Sequence, residues 1–336
     1  MFSPIRFSLW HKAAKFGKRY VVLQRQRLNK RLLSWPPLLY LIVFFLVPTT
    51  IMFIAALRYP GEYGGLAPLH TSQAGHTVWH VTIENFQYFF AEPLYWKLFL
   101  TSFYTAALTT LLCIILAYPL SWVIARSSKK YRNLLLLLVI LPFWSSFLVR
   151  VYAWVIILGP QSGFSYAVNW ILQQMGFEPI QIMFTSFAVM LAMVYVHLPF
   201  MILPLYANLE KHDMALLDAA QDLGASSYQC FWRITFPLSL PGIFAGAILV
   251  FIPSLGMFAI PEILGGTQSM MIGNFIKQQM LETRDWPFGS TLSILLTLSI
   301  LLVIALSMAI ANWQRLRTQI YQFRARYMQQ AISKKV

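Results

Sequence analysis

The sequence predicts an all-α membrane protein that crosses the bilayer six times. Three observations carry this. Hydrophobic residues make up 58% of the 336 residues and charged residues only 11%, against about 25% charged in ordinary soluble domains. Mean hydropathy is +0.61. The apolar residues gather into six runs of the length, about 20 residues, that a helix needs to cross hydrocarbon. So few charges cannot clothe a soluble surface, which excludes a soluble nucleic-acid-binding protein despite a net charge of +15. The apolar content excludes disorder, and two cysteines exclude a disulfide scaffold.

In chain order, residues 1–35 form a basic segment. It mixes Phe2, Ile5, Phe7, Leu9 and Trp10 with nine Lys and Arg and no acid, a composition suited either to an anionic leaflet or to a solvated basic arm. The first span is 36–57. Its apolar run exceeds a signal-peptide core and no clean small-x-small site follows, so it reads as an anchor. An extracytoplasmic loop of partial order, rich in Gly, Tyr and His, covers 58–97. A core of five further spans occupies 98–312, at 98–124, 134–158, 181–207, 241–260 and 291–312. Pro199, Pro204 and Pro253 fall in the fourth and fifth spans, where neighbouring helices can satisfy the freed carbonyls. A basic tail covers 313–336.

Charge sets the orientation. The leader, the loop holding Arg126, Lys129, Lys130 and Arg132, the loop holding Lys211 and Arg233, and the tail together carry 21 of the 26 Lys and Arg. The opposite loops carry Arg58, Lys97, Lys277 and Arg284. The positive-inside rule predicts both termini in the cytoplasm, and six spans return the chain to its starting side.

Much chemistry is absent. No Gly-x-x-x-x-Gly-Lys-Ser/Thr loop is present to cradle ATP, and no nucleophile–base set emerges. His70, His76 and His80 lack a fixed frame for a metal. The sequence therefore predicts no enzyme, no metal and no cofactor in this chain.

The loop 208–240 breaks the charge pattern. Glu210, Asp213, Asp218 and Asp222 outweigh Lys211 and Arg233. Asp213 is placed to cap a helix. Leu216, Leu217, Ala220 and Leu223 recur at helical spacing and predict one apolar face, and Gly224 can end the helix at positive φ. Pro237 and Pro241 are expected to restart the chain near the fifth span. A plain connecting helix would show the same pattern.

The order Asp218-Ala219-Ala220, Gly224 four residues on, then Ile234 and Pro237 resembles the cytoplasmic loop of ABC importer permeases. That family's pattern is Glu-Ala-Ala, three residues, Gly, nine residues, Ile-x-Leu-Pro. Asp218 replaces Glu and Phe236 replaces Leu. The resemblance spans roughly 90–310 and is nearest to permeases of spermidine/putrescine importers. It is carried also by Leu141-Pro142-Phe143-Trp144 through Arg150-Val151-Tyr152, Leu198-Pro199-Phe200-Met201, Pro261-Glu262-Ile263-Leu264-Gly265-Gly266 and Arg284-Asp285-Trp286-Pro287.

The resemblance implies a type I importer permease of the bacterial inner membrane. It implies that the loop is a coupling helix docking on a separate ATPase subunit: Ala219 and Ala220 small enough to seat deeply, Asp218 pairing with a basic residue, Leu223, Gly224 and Ala225 forming the exit turn. Implied partners are two ATPase copies, a second permease chain, an extracytoplasmic substrate-binding protein and membrane lipid, with no nucleic acid. The implied solute is a polyamine. Ferric ion, sulfate or another small solute is the alternative, since Met257 follows Gly256 where some relatives carry an acid. A non-transport membrane protein is the reading from another class. For a flexible polycation, acids and aromatic faces are the natural lining. The candidates are Trp144, Tyr152, Glu262, Asp285 and Trp286, with Glu282 and Trp154 nearby. Arg150, a charge within the third span, is expected to pair with Glu262 or Asp285 or to latch a gate. Gly242 and Gly246, four apart, predict close helix packing.

Overall fold

The computed structural model describes residues 35–73, 76–266 and 269–333. The basic leader lies outside the described residues, apart from Trp35. By its internal contacts the chain divides into two units, Met1–Ala55 and Ala56–Val336. Helix α1, Trp35–Ala56, is apolar along its length, and all but its last residue make up the described part of the first unit.

The second unit opens with the segment expected as a loop at 58–97, which holds regular structure. Strands β1 (His70–Gln73) and β2 (His76–Trp79) pair antiparallel, and helix α2 covers Glu84–Ala91. Asn85 ties this segment down by donating to the Ala56 and Arg58 carbonyls. Apart from an isolated bridge between Pro60 and Leu66, the regular structure among the described residues is otherwise helical.

Three long helices make the core: α3 (Pro93–Arg126), α7 (Ser186–Leu209) and α10 (Phe236–Leu255). Thr109 bonds to Met190, Cys113 to Val194 and Ser121 to Ile202, always with a separation of 81 residues. A constant offset means that α3 and α7 run parallel. α10 runs against both: Tyr118 meets Ser239 at 3.1 Å, and Phe103 meets Phe251 further along. The expected glycine packing is present. A Cβ on Gly242 would lie 2.6 Å from Asn208 Cβ, and one on Gly246 would lie 2.5 Å from Met201 Sδ and 3.3 Å from its Cα. Backbones this close gain dispersion contacts that a bilayer does not supply by the hydrophobic effect.

Parallel α3 and α7 require the segment between them to cross the membrane. Here the structure corrects the expected continuous span 134–158. Helix α4 (Lys129–Ile140) gives way to a 3₁₀ turn, Leu141–Trp144, and the chain resumes as α5 (Phe147–Leu158). Pro142 in that turn removes a donor and fixes φ, which breaks the α ladder. Leu135, Leu136 and Val139 of α4 pack near the late ends of α3 and α7. Val151 and Leu158 of α5 pack at the opposite end, on Ala188 and Val189 at the start of α7. The crossing is thus shared by two half-helices. By length and composition the stretch Phe147–Gln174 could also reach across. However, α5 and α6 (Gly163–Gln174) are separate helices, and only the α4–α5 division touches both ends of the core.

The fifth span also starts earlier than 241. α9 (Ser227–Cys230) runs through a π-turn, Phe231–Thr235, directly into α10. Pro237 sits in the first turn of α10 and Pro241 inside it, so neither restarts the chain. After Leu255 come two short helices, α11 (Ala259–Leu264) and α12 (Ile272–Lys277), and a second π-turn, Gln278–Glu282. α13 covers Trp286–Ser333, so the sixth span and most of the basic tail are one helix. Phe288, Leu292 and Leu296 pack with Tyr95 and Leu255. The starts of α3, α7 and α13 and the end of α10 therefore share one end of the bundle.

Candidate functional site

At the other end lies the acidic loop. Helix α8, Ala215–Asp222, is headed by Met214 and not by the expected cap Asp213, which stands one residue earlier and accepts a hydrogen bond from the Ala215 amide at 3.0 Å. It ends in a Schellman arrangement. The Gly224 amide reaches the Gln221 carbonyl at 2.8 Å and the Ala225 amide reaches the Ala220 carbonyl at 3.0 Å. Gly224 has φ +82. Two residues later Ser226 and Gln229 form a reciprocal capping box that starts α9. The turn from α8 into the fifth-span helix is therefore fixed by hydrogen bonds at both ends.

The predicted single apolar face of α8 is split. Leu217 and Ala220 are half-buried, while Leu216 is 50% and Leu223 89% exposed. No residue of α8 is buried. Met214, Leu216, Leu223, Tyr228 and Trp232 leave apolar surface open at one end of the molecule. Asp218 and Ala219 are exposed, whereas Ile234 is half-buried in the π-turn.

The base of this loop is held by polar contacts. Glu210 pairs with Arg132 at 2.5 Å, joining the end of α7 to the start of α4. Arg132 also donates to the Ala125 and Ser127 carbonyls. Both partners are partly exposed, so the pair contributes about 0.5–1 kcal/mol. His212, two residues after Glu210, has its Nε2 buried and without a hydrogen-bond partner. Burial pushes its pKa down, Leu238 backbone contact opposes this, and Arg126 adds to the lowering. A lowered folded pKa gives stability that is full above the unfolded value, about 6.5, and is lost as pH falls through it toward the folded pKa. Melting of the purified protein is accordingly expected to shift down between pH 7.5 and 5.5, and His212→Gln to flatten that shift. An unchanged shift in the variant counts against the assignment.

The candidates after α10 fall into three places. Glu262 (α11) and Glu282 (π-turn) line one cavity of about 290 Å³ with Gly266, Met270, Asn274, Lys277 and Gln278. Lys277 Nζ lies 2.5 Å from Glu262 and 3.9 Å from Glu282. Trp286 lines a different cavity with Tyr63, Gly64, Gly65 and Arg284, and its Nε1 donates to the Met280 carbonyl. Asp285 caps α13 by accepting from the Phe288 amide at 3.1 Å.

Trp144, Arg150 and Tyr152 belong to the broken third crossing. Trp144, the last residue of the 3₁₀ turn, is 77% exposed, and Tyr152 is exposed on α5. Non-helical backbone at membrane depth is tolerated where it is buried in protein or lines a wet cavity. The expected pairing of Arg150 with Glu262 or Asp285 is not found. Glu262 is taken by Lys277 and Asp285 by the α13 amide, while Arg150 stacks 5.2 Å over the Phe143 ring. Phe143 in turn meets Phe200 edge-on at 5.1 Å, so Arg150 braces the broken span against α7. Lys277 was the residue that sequence reasoning did not single out. Its signal was present: it and Arg284 are the only basic residues between the fifth and sixth spans.

Comparison with known proteins agrees with this architecture. Residues 117–319 match the family model described as binding-protein-dependent transport system inner membrane component. The chain is 44% identical over 217 residues to the spermidine/putrescine transport system permease protein PotB of Escherichia coli, covering 65% of this chain and 78% of that protein. The Haemophilus influenzae protein of the same name is also 44% identical, over 220 residues covering 65% of this chain and 75% of its own. Among solved structures, a bacterial ABC transporter involved in import of the acidic polysaccharide alginate superposes with a TM-score of 0.60. It covers 90% of this chain and 98% of its own at 18% identity, and so speaks for the fold. The spacing of the acidic loop, the parallel core and these matches converge: the chain belongs to the inner-membrane permease subunits of binding-protein-dependent ABC importers.

Proposed function

We propose that the chain forms one half of a pore that imports polyamines, driven by ATPase subunits docked on α8. The carrying observation is the exposure of α8. Met214, Leu216 and Leu223 are open, yet α8 is closed at both ends by local hydrogen bonds and joined by short turns to α7 and α9, which lead into the tightly packed core. A partner that moves α8 therefore moves α7 and α10 with it. Ala219 and Ala220 leave room for a close approach, and Asp218 offers a charge to a basic partner. Two ATPase copies, a second permease chain and an extracytoplasmic binding protein complete this machine, with lipid around it. The distribution of Lys and Arg supports cytoplasmic termini.

The polyamine assignment draws on the named relatives and on the excess of carboxylate over ammonium in the Glu262–Lys277–Glu282 cavity. The test is uptake of labelled putrescine and spermidine by cells lacking the chain, with and without its return. Restored uptake that excess unlabelled polyamine competes away supports the reading. No restoration, or competition by another solute alone, overturns it.

A further inference from the structure

The Glu262 cavity already holds a cation, and that cation is tethered. The lysine side chain is four methylenes ending in a primary ammonium, the same aminobutyl group that putrescine carries. Its ammonium sits between two carboxylates that come from different elements, Glu262 on α11 and Glu282 on the π-turn. The walls are firm. Gly273 of α12 packs so closely that a Cβ there would lie 2.7 Å from the Gly256 carbonyl oxygen, and Asn274 donates to the Phe258 carbonyl at 2.7 Å. Convergence of Lys277 and Glu282 depends on the π-turn. Residues five apart on an α-helix diverge by about 140°, whereas the Thr283 amide reaching the Gln278 carbonyl closes a wider turn that brings such residues together. The side chains are accessible, at 27% for Lys277, 44% for Glu262 and 59% for Glu282. Two carboxylates against one ammonium leave the cavity with an unbalanced negative charge.

Resting on the polyamine reading, we infer that Lys277 is a tethered competitor: its aminobutyl arm occupies an outer ammonium site on Glu262 and Glu282 and is displaced by an incoming alkylammonium. The hydrogen bond to Glu262 raises the Lys277 pKa, so the arm remains an ammonium and the exchange is of like for like. Displacement releases a charge to solvent, which keeps the site weak enough to be left again on the way inward.

The experiment uses the assembled transporter in nanodiscs without its binding protein, with radiolabelled putrescine as the probe. Lys277→Met keeps the stem and removes the competitor, and is expected to bind putrescine about five-fold tighter. Lys277→Arg is expected to show no gain, and Glu262→Gln in the Lys277→Met background to cancel it. Binding by Lys277→Met no tighter than wild type overturns the inference. A second measurement leaves the site intact: saturating putrescine should shift the ζ-nitrogen NMR resonance of isotopically labelled Lys277, and an unchanged resonance with putrescine bound overturns the inference. If wild type imports putrescine while both readouts stay flat, the competitor alone fails. If wild type neither binds nor imports it, the polyamine reading fails with it.

Discussion

Gly224→Val is expected to abolish ATP-driven uptake while the chain still reaches the membrane in normal amounts. The reason is local. Gly224 closes the Schellman turn at φ +82, and a β-branched residue is an outlier there, at a cost of about 1–2 kcal/mol. A Cβ would meet nothing within 4 Å, so the cost comes from backbone conformation and not from a clash within this chain. The strained turn relaxes by releasing the Ala225–Ala220 and Gly224–Gln221 hydrogen bonds, and α8 then loses its fixed angle to α9. A graded series separates this from docking. Asn tolerates the left-handed region and should retain most uptake. Asp is similar in backbone preference but adds charge beside a partner, so a much larger loss with Asp than with Asn locates the defect at the ATPase contact. Normal uptake by the Val variant at normal abundance sinks the coupling role of this turn.

The second large effect is expected at the α7–α10 crossing. Gly246→Val places a branched side chain where even a Cβ lies 3.3 Å from the Met201 Cα and carbonyl oxygen. Met201 Sδ can swing aside, but its backbone cannot, so the helices must separate. Overpacking of this kind costs about 1–3 kcal/mol, and Gly242→Val, pressing on Asn208 Cβ, is expected to add less than its own cost in combination, because the two share one interface. Membrane abundance and thermal stability in detergent are the measurements. Gly163→Ala, where a Cβ meets nothing within 4 Å, serves as the control and should be neutral. Equal stability of Gly246→Val and the control would refute the close-packed crossing.

Much of the architecture was legible because it rests on run length and spacing. Six apolar runs give six spans, and Gly242 and Gly246 at helical spacing give the crossing. The acidic loop was readable because Asp213 and Gly224 act through local hydrogen bonds. What was not legible depends on tertiary choices. The break at Leu141–Ser146 is silent in hydropathy, since Leu141, Phe143 and Trp144 are as apolar as the helices beside them. Leu216 and Leu223 share a helical face with Leu217, yet the neighbouring helices cover only part of it. Arg150 was expected to find an acid; Lys277 had already claimed Glu262, and an amide at the head of α13 had claimed Asp285. π-turns leave no periodic trace at all, which is why the company Lys277 keeps with Glu282 could not be foreseen.

The π-turn at Phe231–Thr235 lies between the capping box at Ser226 and the packed body of α10. A π-turn holds one residue more than the α pitch accommodates. Moving that surplus residue along the helix slides the intervening stretch by about 1.5 Å and rotates it by about 100°, with no end left to fray. The stretch joining α8 to the packed core is therefore geared: a short axial shift there is convertible into a turn of the face that now sets Phe231 against Tyr118.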